Sequence, residues 1–328
     1  MDWDRGGFID KHGEIVIPLC FETVGEFSEG LASFERDGRW GFLDATGAVV
    51  IEPAFPWAQD FHEGLALVQV TGESLAINGQ WGFIDRTGKV VIKPEFSELH
   101  GVAESEQGFS DGLAIVQKDE WSGKSAYVDK SGTIVIPPRF SYSYPFRDGL
   151  AAATESESGD QGWGFIDKAG NWAIPPRFDW ASNFAEGLAT VNRRRDCGYI
   201  DHKGTLVLSP PLPPGEKDCA TVWGQFADGL SRWRFGTKYG FIDHTGKTVI
   251  EPRFDLTDSF SEGLAAVQID GKWGYVDTRG EMVITPQPWH TARAFHNGLA
   301  YVVTQDGRHG YINRTGKYVW QPTRQSIN

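Results

Sequence analysis

The string G-[FY]-[ILV]-[DN] occurs at Gly7–Asp10, Gly41–Asp44, Gly82–Asp85, Gly164–Asp167, Gly198–Asp201, Gly240–Asp243, Gly274–Asp277 and Gly310–Asn313, with an altered ninth copy at Ala126–Asp129. One short pattern at near-constant spacing restricts the chain to a repeat architecture, because every copy meets the same local physics. The closing residues Asp10, Asp44, Asp85, Asp129, Asp167, Asp201, Asp243, Asp277 and Asn313 lie 34, 41, 44, 38, 34, 42, 34 and 36 residues apart. The minimal unit is therefore 34 residues, and the longer intervals hold insertions.

Three signals travel with the string. A glycine follows three residues after each closing residue, at 13, 47, 88, 132, 170, 204, 246, 280 and 316. A β-branched run ending on proline comes next, as in Val49-Val50-Ile51-Glu52-Pro53. Then F-x-[EDN]-G-L-[AS] occurs eight times, its glycines being Gly30, Gly64, Gly112, Gly149, Gly187, Gly229, Gly263 and Gly298. Asp-x-x-Gly between two apolar runs fits a tight turn, the Asp accepting backbone N–H bonds and the Gly taking φ > 0. W-G-F-I-D and x-V-V-I are thus read as the arms of a hairpin and G-L-A-x-V as a third strand. The acid before Gly-Leu reads as a strand-entry residue. Proline should stop the second arm, having no N–H to donate. The connector that follows, with aromatics six apart as in Phe55/Phe61, reads as a compact turn.

Gly and Pro interrupt the chain too often for an amphipathic helix. Residues 1–328 are read as one array rather than two domains. The chain resembles the WG-repeat proteins of bacteria, with Trp-Gly standing at Trp40-Gly41, Trp81-Gly82, Trp163-Gly164 and Trp273-Gly274. Gly6, Ser125, Cys197, Tyr239 and His309 replace the Trp elsewhere. The resemblance covers residues 6–322 and implies a repeat scaffold with no catalytic residues to carry over.

The fold expected is all-β: an open, superhelical solenoid of about nine hairpin-based, three-stranded WG repeats. A closed β-propeller-like ring is the alternative. A propeller blade uses four strands and about 40 residues, whereas 34 residues are read as holding three strands here, and the two ends duplicate rather than complement each other. That reasoning favours the open form.

Lys plus Arg number 31 against 44 Asp plus Glu, a net charge of 31 − 44 = −13. This argues against a sequence-independent hold on nucleic acid or an anionic membrane. Cys20, Cys197 and Cys219 are an odd set without close spacing, which predicts neither a disulfide framework nor a zinc knuckle. No metal or cofactor is expected, since no histidine stands at metal-ligand spacing and no catalytic motif is present. The start of the chain reads as lacking a secretory signal, which predicts a cytoplasmic protein, with signal-independent secretion the other route.

Candidate binding residues are sought where the repeat is broken. Trp57, Tyr142 and Trp180 stand two after the connector Phe, and Arg139, Arg177 and Arg253 just before it. Insertions fall at about Thr71–Gly79, Glu98–Gly108, Lys118–Ser125, Glu155–Gln161 and Ser209–Gly224. The function expected is a non-catalytic scaffold binding a protein or peptide along an extended face. A carbohydrate-binding module is the alternative, and a hydrolase with carboxylates in an inserted loop is the third reading.

Overall fold

The computed structural model describes residues 6–70, 80–97, 107–118, 123–157, 162–193, 196–209 and 224–324. All of its regular structure is β, and among the described residues no helix is long and apolar enough to cross a membrane. By their contacts the residues form two compact units. One comprises Ile15–Asn183 with the strand segment before Ile9, and the other runs from Phe184 onward and includes Ile9–Glu14.

The three-stranded unit and the open solenoid are overturned. Among the described residues seven sheets are four-stranded meanders, the blade of a β-propeller, and with a further sheet that shows three strands there are eight blades. Sheet 1 is Thr23–Ser28, Leu31–Arg36, Arg39–Asp44 and Val49–Phe55. Sheet 2 is Trp57–His62, Leu65–Gln69, Trp81–Asp85 and Val90–Phe96, sheet 3 is Phe109–Ser110, Leu113–Val116, Ser125–Asp129 and Ile134–Phe140, and sheet 4 is Tyr142–Ser143, Ala151–Thr154, Trp163–Ile166 and Trp172–Phe178. Sheet 5 is Trp180–Ala185, Leu188–Arg193, Asp196–Ile200 and Leu206–Leu208. Sheet 6 shows three strands among the described residues, Leu230–Phe235, Lys238–Asp243 and Thr248–Phe254. Sheet 7 is Leu256–Thr257, Leu264–Ile269, Lys272–Asp277 and Met282–Gln287, and sheet 8 is Trp289–His296, Leu299–Thr304, Arg308–Asn313 and Tyr318–Arg324. An N-terminal hairpin, Gly6–Ile9 with Ile15–Phe21, forms a two-stranded sheet of its own.

The missing strand was the connector. Its second aromatic is held by the preceding blade: Phe61 packs on Phe42 at 4.8 Å, Phe109 on Phe83 at 5.0 Å and Phe146 on Tyr127 at 5.0 Å. In the other unit Phe226 meets Tyr199 at 5.0 Å, Phe260 meets Phe241 at 4.7 Å and Phe295 meets Tyr275 at 4.8 Å. Most of these pairs are edge-to-face, the arrangement that ring quadrupoles favour. With its aromatic pinned, the connector backbone lies beside Gly-Leu-Ala and pairs with it, as Phe61 does with Ala66.

Proline does not end the fourth strand. In sheet 1, Phe42 pairs with Ile51 and Trp40 with Phe55, so two residues on one strand span four on the other. Glu52, Pro53 and Ala54 form a bulge, after which pairing resumes. That bulge presses on the Trp-Gly glycine: a Cβ on Gly41 would lie 2.5 Å from the Ile51 carbonyl oxygen and 2.8 Å from the Pro53 nitrogen. The glycine and the proline are therefore one device, the first giving space to the kink made by the second. The fourth strand otherwise alternates, with Val50 and Val91 exposed and Ile51 and Ile92 buried. Its bulge interrupts the outer edge, which limits strand-to-strand association with other molecules.

Candidate functional site

In every four-stranded sheet the first–second and third–fourth turns lie at one end, and the second–third loop and the connector to the next sheet lie at the other. The first is called the turn end and the second the loop end.

At the turn end the Asp-x-x-Gly loops have the expected chemistry. Asp44 Oδ1 accepts from the N–H groups of Thr46 at 2.8 Å and Ala48 at 3.0 Å, and from the Thr46 hydroxyl at 2.6 Å. The Thr46 hydroxyl first, then the backbone donors, hold the Asp44 carboxyl below the usual carboxylate range. Asn313 makes the same bonds with its amide oxygen. In most of these turns the closing glycine sits over the buried Ile of the sheet before it, so that a Cβ on Gly88 would stand 3.0 Å from Ile51 Cγ2.

The acid before Gly-Leu has a role that its position along one chain segment does not reveal. Glu29, Glu63, Asp111, Asp148, Glu186, Asp228 and Glu262 all have φ of 52–54°, and the glycines after them have φ of 76–88°. Positive φ at both central residues marks the tight two-residue hairpin turn. This geometry directs the carboxylate at the next blade: Glu29 accepts the N–H of Gly64 at 2.9 Å, Glu63 that of Gly112 at 3.0 Å and Asp111 that of Gly149 at 2.7 Å. Glu186 takes Gly229 at 3.1 Å, Asp228 takes Gly263 at 2.7 Å and Glu262 takes Gly298 at 3.0 Å. Cations in the Asp-x-x-Gly turns add to the chain of latches, Lys130 lying 3.1 Å from Glu63 and Arg314 3.5 Å from Glu262. Serines support it: Ser28, Ser110 and Ser261 donate to the carbonyls of Phe61, Phe146 and Phe295 in the following blade.

The loop end is built differently, and all five insertions fall there. Thr71–Gly79, Lys118–Ser125 and Glu155–Gln161 join second to third strands, and Glu98–Gly108 and Ser209–Gly224 join one sheet to the next. Much of their length lies outside the described residues. Trp57, Tyr142 and Trp180 each open the first strand of a sheet at this end. Trp57 is half-buried with its ring 5.0 Å from Trp40, Trp180 is half-buried, and Tyr142 is 45% exposed.

The arginines at the same end are engaged. Arg139 pairs with Glu155 at 2.6 Å, donates to the Gly170 carbonyl at 3.1 Å and lies over the rings of Phe140 and Trp172. Arg177 covers Phe178, and Arg253 covers Phe254 while donating to the Gly280 carbonyl at 2.5 Å. The six residues do not form one cluster, since they are spread over five blades, Tyr142 and Arg177 both belonging to sheet 4. Arg139 and Tyr142 do share a connector. There Lys124 donates to the Ser141 hydroxyl at 2.6 Å and lies 3.7 Å from Glu157, placing two cations and two carboxylates at the connector that Tyr142 follows. Sheet 7 repeats the theme, with Leu256 exposed beside a Lys238–Asp255 pair at 2.5 Å. Lys124 and Glu155 lie inside stretches that the sequence marks only as insertions.

Among the described residues no group of His, Cys, Asp and Glu could hold a metal ion. Cys197, in the Trp position of sheet 5, is disulfide-bonded, contrary to the reading of the cysteines from their spacing; Cys20 is exposed and outside any disulfide, and Cys219 lies outside the described residues.

The model of the WG containing repeat matches residues 7–40, 40–73, 81–120, 126–155, 163–194, 239–273 and 273–308. The chain belongs to the WG-repeat family. No curated protein matches it in sequence. Among solved structures it is similar to a eukaryotic initiation factor, at 10% identity and a TM-score of 0.59, over 90% of this chain and 86% of that one. This likeness is to a β-propeller, which overturns the open solenoid and agrees with the closed alternative. Weaker likenesses include BamB from Moraxella catarrhalis, at 16% identity and a TM-score of 0.39 over 87% and 82% of the two chains. AztD from Citrobacter koseri has 14% identity and a TM-score of 0.38 over 88% and 94%.

The family repeat and the blade are out of phase. Residues 7–40 comprise the N-terminal hairpin and the first two strands of sheet 1, and residues 40–73 comprise the last two strands of sheet 1 and the first two of sheet 2. Each WG repeat thus supplies half of one blade and half of the next.

Proposed function

We propose that this WG-repeat protein is a non-catalytic scaffold that takes a protein or peptide partner on the loop end of its blades. The observation that carries this reading is the contrast between the two ends. The turn end is occupied by latches that repeat from blade to blade and leave little freedom to vary. Every insertion falls at the loop end, where loops on a rigid frame can differ in length and sequence without cost to the fold. β-Propellers commonly serve as protein-interaction scaffolds, which is consistent with this assignment. The connector of exposed Tyr142, which carries ion pairs of Arg139 with Glu155 and Lys124 with Glu157, offers the mixed apolar and polar surface typical of protein contacts. A glycan site would need several rings exposed in equivalent grooves, and Trp57 and Trp180 are half-buried.

The test compares affinity-captured partners of the native protein with those of a loop-end variant, Tyr142→Ala with Glu155→Ala, and a turn-end variant, Glu63→Gln. A partner retained by Glu63→Gln and lost from the loop-end variant supports the proposal. Partners that follow neither change, or binding confined to a glycan panel, overturn it.

A further inference from the structure

In several blades the residue after the turn Asp or Asn reaches the acidic turn of the sheet before it. Lys130 stands there in sheet 3, 3.1 Å from Glu63, and Arg314 in sheet 8, 3.5 Å from Glu262. Arg86 donates from the same position of sheet 2 to the Glu29 carbonyl. Lysine and arginine keep their charge throughout the range in which proteins are usually folded. In sheet 6 the position is His244, whose Nε2 lies 3.4 Å from Glu186 Oε2. Histidine is the side chain whose ordinary titration falls between about pH 5 and 8. One latch of the series is therefore built with a cation that can be withdrawn.

The imidazole has a second neighbour. It stacks on the Phe226 ring at 4.1 Å, and Phe226 is the aromatic that packs sheet 6 onto Tyr199 of sheet 5. Protonation of His244 strengthens both contacts, one with a carboxylate and one with the negative face of a ring. Glu186 also accepts the Gly229 N–H at 3.1 Å, so one carboxylate of sheet 5 holds two points of sheet 6. The nearby acids are committed to other bonds. Asp243, beside His244, takes the N–H groups of Thr245 and Lys247 and the Thr245 hydroxyl, with the Lys247 charge close by. Asp228, in the other turn of sheet 6, accepts the Gly263 N–H of sheet 7 at 2.7 Å. In sheet 5, Asp201 accepts the N–H groups of Lys203 and Thr205, and His202 stacks on Phe184 at 4.3 Å.

We propose that the seam between sheets 5 and 6 is a proton-controlled latch, in which an imidazolium at His244 clamps Glu186 and Phe226 in mild acid and releases them in mild alkali. The contribution is complete while His244 is protonated and is lost as pH rises through its titration in the folded protein. Protonation of Glu186 removes it again near about pH 4. The two sheets so joined are those connected by Ser209–Gly224, the longest of the five insertions. The proton state of one turn thus sets how firmly the sheets that carry that insertion are held together. The latch lies at the turn end and does not depend on the loop-end assignment.

The test measures amide hydrogen exchange of the full-length protein at pH 5.5 and 8.0, with rates divided by the intrinsic rate at each pH. Protection of the Gly229 amide should be about threefold greater at the lower pH, a change of the size that a partly exposed ion pair supports. Gly112 and Gly298, whose latches hold Lys130 and Arg314, serve as controls and should change by much less. His244→Lys should make Gly229 as insensitive to pH as Gly112 while keeping its protection high. His244→Gln should fix it at the level the native protein shows at pH 8.0, and Glu186→Gln should abolish the response without removing the acceptor. Equal protection of Gly229 at the two pH values in the native protein overturns the proposal. So does a response that survives His244→Gln, or one shared equally by Gly112 and Gly298.

Discussion

The carboxylate of Glu63 accepts the backbone N–H of Gly112, 49 residues further on and in the next blade, at 3.0 Å. Glu63 holds its left-handed conformation, φ 53°, in the turn that aims it there. A local backbone cost is thereby converted into a contact between blades.

Removing that carboxylate isolates the value of the latch. Glu63→Ala should lower the unfolding free energy by about 1 kcal/mol, the usual net worth of such a bond at a partly exposed site. Glu63→Gln keeps an acceptor and should lie within a few tenths of a kcal/mol of the native protein. Urea denaturation of the two variants distinguishes a hydrogen-bond role from a turn preference, which would leave them equal.

Gly41→Ala tests the coupling of glycine to the proline bulge. Its Cβ would meet the main chain at Ile51 and Pro53, which has no flexible tip to move aside. A loss of about 1–3 kcal/mol is expected, as for overpacking elsewhere. An unchanged melting temperature would show that the bulge relaxes freely.

Tyr275 offers a tie that Phe241 lacks in the blade before it. Its hydroxyl donates to the Arg293 carbonyl at 2.8 Å, and burial pushes its own ionisation well above the ordinary tyrosine range. Tyr275→Phe should cost about 1 kcal/mol, because the ring packing survives and only the bond is lost. Near-ultraviolet circular dichroism should remain native-like while the urea midpoint falls.

Acid should loosen the turn end. Asp44, Asp85, Asp129 and Asp243 are held below the usual carboxylate range, first by the hydroxyls of Thr46, Thr87, Ser131 and Thr245 and then by backbone N–H groups. A depressed folded-state value means that the stabilisation is complete above the unfolded pKa of about 3.9 and is lost as pH falls through the folded value. Stability should be level from neutrality to about pH 5 and then decline. Asp44→Asn, which copies the natural Asn313 turn, should keep the fold and reduce that decline. Equal acid sensitivity of both proteins would place the effect elsewhere.

Asp60 has the opposite sign. Burial raises its carboxyl above the usual range, although the Ser33 hydroxyl donates to it at 3.0 Å. Its ionised form therefore weakens the fold at neutral pH, and that cost fades as pH falls through the raised value. Asp60→Asn should raise the melting temperature at pH 7 and have less effect near pH 4. A lowered melting temperature at pH 7 would contradict this.

The sequence made most of the strands legible, because turn chemistry and apolar periodicity are local. Gly41–Asp44, the Asp44 turn and Leu65–Gln69 could each be read from a few neighbouring residues. What could not be read was non-local. The connector becomes a strand only because Phe61 is caught by Phe42 of another blade, and Glu29 looks like a strand-entry residue until its partner Gly64 is known. The same blindness hid the first strand of each sheet, and with it the propeller. At the candidate site, Tyr142 and Arg139 stood out as deviations from the repeat, whereas Lys124 and Glu155 sat in insertions whose register no periodicity fixes. Cys197 was misread for the same reason, since sequence spacing does not report distance in space.

The half-blade offset between repeat and sheet bears on how such proteins can be lengthened or shortened. Duplicating one WG repeat adds one whole sheet, the copy supplying two strands to each of two neighbouring sheets, with a carboxylate ready for the glycine that follows, so the new seams are correct from the outset. A cut between Trp and Gly divides a sheet through its middle, whereas a cut at a connector such as Phe55–Trp57 preserves whole sheets. Truncations that end at the connectors should be soluble where those that end at Trp-Gly aggregate.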